Sequence, residues 1–159
     1  MSIATGRPAP DFELSDQHGQ TVRLADFAGR RNVLLVFYPL AFSGVCEGEL
    51  TALRDGADDF RAADVQLLAV SVDSMFAHRV WADREGLEFP LLSDFWPHGA
   101  VASSYGVFDE NRGVALRGTF LIDREGVIRW KVVNPISEPR DPATYHQAIA
   151  ILGAAAPRP

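Results

Sequence analysis

The sequence 32-NVLLVFYPLAFSGVCEGEL-50 indicates a strand that is followed directly by a helix. Its first part, Asn32 to Tyr38, is an apolar run without polar alternation, which is typical of a strand covered on both faces of a sheet. From Cys46 onward, apolar residues recur at helical spacing with polar residues between them, at Leu50, Leu53, Ala57 and Phe60. The stretch therefore predicts a buried strand and then an amphipathic helix, with the only cysteine of the chain at the start of that helix.

Strands and helices alternate along the rest of the chain. "DFELSDQHGQTVRLADF" predicts an N-terminal hairpin, and further strands are predicted at "VQLLAVSV", at "FPLLSD" and on both sides of the turn "DREG". Helices are predicted over residues 76–84, 98–105 and from Asp141 onward, and the last segment, "GAAAPRP", is expected to fray. This order predicts an α/β fold: a thioredoxin-like sandwich with a central mixed β-sheet flanked by helices and an N-terminal β-hairpin.

Composition limits the class of protein. A chain of 159 residues that is 47% hydrophobic can bury one core, so we expect a single domain over 1–159. The net charge of -6 and the scattered Lys and Arg residues argue against a nucleic-acid partner. No segment approaches the roughly 18 apolar residues of a membrane helix. The first residues also lack the pattern of a secretory signal. We therefore expect a cytoplasmic protein without a membrane partner.

Cys46 is the residue whose position and side chain most favour a catalytic role. The carboxyl ends of strands gather reactive groups in open α/β sheets, and a thiolate at a helix start is stabilised by free backbone N–H groups. The alternative is that a lone cysteine is a small buried apolar residue. With one cysteine, no internal disulfide can form. The four histidines show no ligand spacing, so we expect no metal and no other cofactor.

Pro39, Ser43 and Cys46 form the pattern P-x-x-x-S-x-x-C, in which Ser43 could also be simply the helix N-cap. This pattern resembles the active-site pattern of the peroxiredoxins. The resemblance extends to "GRPAPDFEL", "FPLLSDFWPHGAVASSYGVF" and "RGTFLIDREGVIRW". Within that family, the chain is most similar to the one-cysteine alkyl hydroperoxide reductase E type, because it has no second cysteine and contains "PLAFSGVCEGEL" and "SDFWPHGAV".

The resemblance implies a role for each matching residue. Cys46 would be the peroxidatic cysteine, Ser43 would hydrogen-bond the peroxide, and Pro39 would shield the thiol. Arg117 would reach the sulfur from a distant strand, although it could instead be a strand-edge residue in a surface ion pair. Glu49 would orient that arginine, although a glutamate in the first turn also favours a helix by itself.

The resemblance further implies a thiol-dependent peroxidase that reduces hydrogen peroxide and organic hydroperoxides through a sulfenic acid. A low-molecular-weight thiol, a glutaredoxin-like reductant or both would recycle it, and the chain would form a homodimer through Phe42, Phe95 and Trp96. The alternative is a peroxide sensor or holdase-like protein that uses Cys46 oxidation as a signal. A C-x-x-C oxidoreductase and a cysteine phosphatase are disfavoured, because Ser43 and Ala52 stand where those classes need cysteine and arginine.

Overall fold

The computed structural model describes residues 1–154, and its centre is a mixed sheet of seven strands. The strands of this sheet are β1 Glu13–Ser15, β2 Thr21–Arg23, β3 Asn32–Phe37, β4 Val65–Ser71, β5 Leu91–Ser93, β8 Arg117–Ile122 and β9 Ile128–Asn134. Strands β6 Phe108–Asp109 and β7 Val114–Ala115 form a second, two-stranded sheet. The helices are α1 Gly44–Asp55, α2 Ala57–Ala62, α3 Met75–Glu85, α4 Ala100–Ser104 and α5 Thr144–Ala154. A 3-10 helix, Leu24–Phe27, follows the hairpin of β1 and β2.

The strand order of the large sheet is β2-β1-β5-β4-β3-β8-β9. Strands β3, β4 and β5 are parallel, whereas β8 lies antiparallel to β3, and β1, β2 and β9 also form antiparallel pairs. Because β3, β4 and β5 point the same way, the loops that follow them meet at one edge of the sheet. The predicted α/β sandwich with a mixed sheet and an N-terminal hairpin is confirmed.

Strand β3 separates two hydrophobic cores. Leu34 and Val36 pack with residues of α1, α2, α3 and α5 on one face, and Val33, Leu35 and Phe37 pack with residues of α4 and the N-terminal segment on the other. Every residue of β3 is buried, which explains why its sequence lacks alternation. At roughly 2 kcal/mol for each fully buried large apolar side chain, this strand contributes much of the hydrophobic stabilisation around the site.

Several predicted boundaries were wrong. The helix predicted from Cys46 through Phe60 starts earlier, at Gly44, and breaks at Gly56, which separates α1 from α2. The final helix begins at Thr144, and Asp141 instead holds the preceding turn through a bond from the N–H of Ala143. The two-stranded sheet of β6 and β7 was not predicted.

The tail predicted to fray lies largely outside the described residues, although its first two residues belong to α5. Among residues 1–154, no helix has the length and apolar character needed to cross a bilayer.

Candidate active site

The loop between β3 and α1 brings the cysteine to the carboxyl edge of the parallel strands. Ser43 is the N-cap of α1, and its Oγ accepts a bond from the backbone N–H of Cys46 at 3.4 Å. The N-cap alternative for Ser43 is therefore confirmed as a structural role. Cys46 lies in the first turn of α1 and is completely buried. Pro39, in the same loop, is buried as well.

Arg117 reaches Cys46 from the first position of β8, the strand beside β3. Its Nη1 lies 3.3 Å from the sulfur of Cys46. Its Nε donates to the carbonyl oxygen of Ile136 at 2.7 Å, which fixes the plane of the guanidinium. Arg117 is only 3% exposed, so the alternative of a surface ion pair is wrong.

Glu49 lies one turn after Cys46 and is buried with it. Its Oε1 accepts a bond from Nη1 of Arg117 at 2.5 Å. The alternative that Glu49 only favours the helix is therefore wrong, because its carboxylate is turned inward to an arginine instead of lying free at the helix start. The structure thus brings together Cys46, Arg117 and Glu49 as predicted.

Sequence reasoning missed Arg140, which is 5% exposed and belongs to the same cluster. Its Nε and Nη2 donate to the two oxygens of Glu49, each at 2.8 Å, and its backbone N–H also donates to Glu49 at 2.8 Å. Its Nη1 donates to the carbonyl oxygens of Phe37 and Gly118. Arg140 therefore ties the glutamate to the ends of β3 and β8.

The two arginines favour the ionised form of the Glu49 carboxyl group. Burial by itself would raise the pKa of Glu49, but the hydrogen bonds and charge of Arg140, with the charge of Arg117, hold that pKa below its usual value. The carboxylate of Glu49 accepts hydrogen bonds from both arginines. Arg140 lies 91 positions from Glu49, and no sequence pattern near either residue indicated their pairing.

A second buried network lies behind the loop and was also missed. The hydroxyls of Tyr38 and Ser71 lie 3.0 Å and 2.7 Å from Nε2 of His78, and Ser71 donates to Asp73 at 2.6 Å. Asp73 in turn accepts from the backbone N–H of Ala41 at 2.8 Å. Burial lowers the pKa of His78 to about 4, against the opposing effect of the charge on Asp73, so the imidazole is neutral near pH 7.

The three aromatic residues expected to pair two copies of the chain are exposed. Phe42, Phe95 and Trp96 have exposed fractions of 43%, 54% and 81%. Phe42 packs beside the buried Trp81 and beneath the guanidinium of Arg84, which lies 5.1 Å from the ring centre. Within residues 1–154, no group of three or more His, Cys, Asp or Glu side chains could hold a metal ion.

Comparisons with known proteins agree with this geometry. Residues 5–131 match the model of the AhpC/TSA family. The chain is 51% identical over 152 residues to alkyl hydroperoxide reductase E of Mycobacterium tuberculosis, which covers 96% of this chain and 99% of that protein. It is 44% identical over 147 residues to a chloroplastic 2-cysteine peroxiredoxin of Chattonella marina var. antiqua, covering 86% of this chain and 74% of that one.

Among solved structures, AhpC of Enterococcus faecalis matches with a TM-score of 0.86 at 27% identity, covering 100% of this chain and 99% of the other. The reduced 2-Cys peroxiredoxin of Plasmodium vivax matches with a TM-score of 0.85 at 31% identity, covering 96% and 83%. TM-scores this high show that the chain shares the fold of both proteins. By its family match, its identity to curated relatives and its fold, the chain belongs to the AhpC/TSA family and is a peroxiredoxin, a thiol-dependent peroxidase with a single cysteine.

Proposed function

We propose that Cys46 is the peroxidatic cysteine and that Arg117, Ser43, Pro39 and Glu49 complete the catalytic site. The observation that carries this proposal is the 3.3 Å contact between Nη1 of Arg117 and the sulfur, at the first turn of a capped helix. A buried cation within hydrogen-bond distance stabilises the thiolate, which is the nucleophilic form of cysteine. A cysteine kept only for packing needs no such partner.

The reaction is a displacement at oxygen. The thiolate of Cys46 attacks the terminal oxygen of ROOH, the S–O bond forms as the O–O bond breaks, and RO⁻ leaves and takes a proton to become ROH. Sulfur is oxidised to the sulfenic acid and the peroxide is reduced. Negative charge grows on the departing oxygen, and fixed donors lower the barrier most where charge develops.

Arg117 is the donor best placed for that charge. Its Nε and Nη1 have protein partners, and among the described residues no hydrogen bond engages its Nη2, which leaves this group for the substrate. Ser43 places its hydroxyl 3.4 Å from the backbone nitrogen of Cys46, and Pro39, buried in the same loop, is proposed to exclude water from the sulfur. Glu49, held by Arg140, keeps the guanidinium of Arg117 in place. Glu49 therefore acts through the arginine.

The substrates that we propose are hydrogen peroxide and organic hydroperoxides. The relative from Mycobacterium tuberculosis carries the name alkyl hydroperoxide reductase E, which supports an organic substrate. Stopped-flow measurement of Cys46 oxidation by hydrogen peroxide and by a bulky organic hydroperoxide tests this, with Cys46→Ser as the control. We expect rapid single-exponential oxidation of the parent and none of the variant. Equal, slow reaction of both peroxides, at the rate of a free thiol in solution, would contradict the proposal.

We propose that a low-molecular-weight thiol resolves the sulfenic acid and that a glutaredoxin-like protein reduces the mixed disulfide. The chain has one cysteine, so no second cysteine of the same chain can form a disulfide with it. Such recycling needs a reducing compartment, which supports a cytoplasmic location. Because the sulfur of Cys46 is completely buried, its loop must open before a bulky thiol can attack.

We also propose that the chain works as a single-domain protein that pairs with a second copy of itself. One sheet with a core on each face supports the single domain. Phe42 follows β3, and Phe95 and Trp96 follow β5, so these exposed aromatic residues share the carboxyl edge of the sheet. Exposed apolar groups that gather on one edge favour a protein interface.

A further inference from the structure

We propose that Asp73 is a positioning residue for the peroxidase reaction. Asp73 accepts a hydrogen bond from the backbone N–H of Ala41. This bond fixes the loop from Pro39 to Ser43 and so keeps the sulfur of Cys46 in its position relative to Arg117. This inference rests on the proposed function and adds to it a residue that does not touch the sulfur.

The bond between Asp73 and Ala41 joins two separate segments of the carboxyl edge. Asp73 lies between β4 and α3, and its Oδ2 accepts from Ala41 at 2.8 Å across 32 positions of sequence. Ala41 stands midway between Pro39 and Ser43, the two residues of the loop that belong to the proposed site. An ionised acceptor makes this a strong hydrogen bond. The carboxylate therefore sets where the middle of the loop lies.

Asp73 is itself oriented by buried partners. A carboxylate only accepts, so the single proton of the Ser71 hydroxyl points to Asp73, 2.6 Å away. Nε2 of His78 lies 2.7 Å from the oxygen of Ser71 and so holds that hydroxyl in place from the other side. His78 and Ser71 are 0% and 1% exposed. This series of hydrogen bonds runs from His78 through Ser71 and Asp73 to the backbone of the loop. It leaves the Asp73 carboxylate little freedom to rotate.

The loop needs this support because its conformation is strained. Phe42, directly after Ala41, has φ of 67°, in the left-handed region that bulky residues rarely adopt. Such residues persist only where neighbouring contacts hold them, and they gather at functional sites. Ser43, the N-cap of the helix that carries Cys46, follows at once. A loop released from Asp73 would relax at Phe42 and move Ser43.

The variants Asp73→Ala and Asp73→Asn test the inference. The first removes the acceptor, and the second keeps an acceptor oxygen without the charge. For each variant we would measure the rate constant of Cys46 oxidation by hydrogen peroxide and the rate constant of its alkylation by iodoacetamide. Oxidation by peroxide needs the sulfur of Cys46, the hydroxyl of Ser43 and the guanidinium of Arg117 in their correct relative positions, whereas alkylation needs only an accessible thiolate. Loss of the thiolate alone would lower both rates and leave their ratio unchanged.

We expect Asp73→Ala to lower the ratio of oxidation to alkylation by about 10²-fold, the cost of a displacement of about 1 Å at a reacting centre. Asp73→Asn should recover most of the ratio. The matched control is Asp55→Ala, which removes an exposed aspartate at the far end of α1 and should leave the ratio unchanged. Thermal melts establish that each variant is folded at the temperature of measurement.

A folded Asp73→Ala variant with the parent ratio would overturn the inference, and so would an equal loss in Asp73→Asn, because that result would assign the effect to charge. If Asp73→Ala does not fold, Ser71→Ala decides: it removes the hydroxyl that orients Asp73 and should lower the ratio, and an unchanged ratio would overturn the inference. Failure of the parent itself to react with peroxide would refute the proposed function instead, so the two failures are distinguishable.

Discussion

At the scale of single residues, the site contains one buried carboxylate paired with two buried guanidinium groups. The guanidinium groups of Arg117 and Arg140 face the carboxylate of Glu49, and Arg117 also faces the sulfur of Cys46. A buried charge is tolerable only where it is paired and hydrogen-bonded. Each member of the set therefore keeps the others in place, and the loss of one member affects both stability and reactivity.

Arg117→Lys should slow the oxidation of Cys46 by about 10²-fold, the usual effect of losing one donor aimed at a developing charge. Lysine keeps the charge but loses the planar fork that contacts Ile136, Glu49 and the sulfur together. Stopped-flow rates, corrected to equal thiolate fraction, measure the effect. Arg112→Lys, at an exposed position, is the matched control. A slow Arg112→Lys beside an unaffected Arg117→Lys would mean that the wrong arginine was assigned.

Glu49→Gln should destabilise the fold by about 3–5 kcal/mol, because it leaves the buried charges of Arg117 and Arg140 without a carboxylate. Urea unfolding at neutral pH measures the change. Glu47→Gln, which breaks an exposed pair with Arg84, should cost less than about 1 kcal/mol. Similar losses in the two variants would show that the buried cluster is less strongly coupled than its geometry indicates.

At the scale of secondary-structure elements, the network that joins β3, β4 and α3 should make stability depend on pH. Burial lowers the pKa of His78 from 6.5 to about 4, so the unfolded chain binds a proton more readily than the folded chain between those values. Stability should therefore fall as pH is lowered through this window, by up to about 1.4 kcal/mol per pH unit. Glu49, whose pKa is held below 4.5, adds a further loss only below that pH.

Denaturant unfolding at a series of pH values between 6.5 and 4.5 separates the histidine from the glutamate. His78→Asn should lower stability at neutral pH but flatten the pH dependence in this window. His146→Asn, at an exposed position of α5, should keep the slope of the parent. An unchanged slope in His78→Asn would assign the pH dependence to another group.

The sequence predicts an interaction well when the residues that make it are close together in the sequence. The apolar runs of β3 and β4 and the N-cap Ser43 are local patterns, so they were predictable. The break at Gly56 was missed because the apolar spacing of Leu53 and Phe60 continues across it. Arg140 contacts Glu49 across 91 positions, and no local pattern at either residue marks that pairing.

At the scale of the whole molecule, the exposed carboxyl edge should pair two copies of the chain. Trp96→Glu replaces one exposed aromatic residue of the proposed interface by a charged one and should shift the molecule from dimer to monomer, as measured by analytical ultracentrifugation. Ala28→Glu adds the same charge at an exposed position before β3, at the opposite edge, and should leave the dimer intact. A parent chain that sediments as a monomer at micromolar concentration would contradict the dimer.

In each catalytic cycle, we expect Cys46 to react with one peroxide molecule and then to be resolved by a thiol from outside the chain. The most direct measurement is intact-mass spectrometry after one equivalent of peroxide, with dimedone and then with a low-molecular-weight thiol added. A dimedone adduct on Cys46, and with thiol a single mixed-disulfide adduct on the monomer, is the predicted result. A covalent dimer as the main product on non-reducing gels would contradict the claim, because it would show that two Cys46 sulfurs meet and resolve each other.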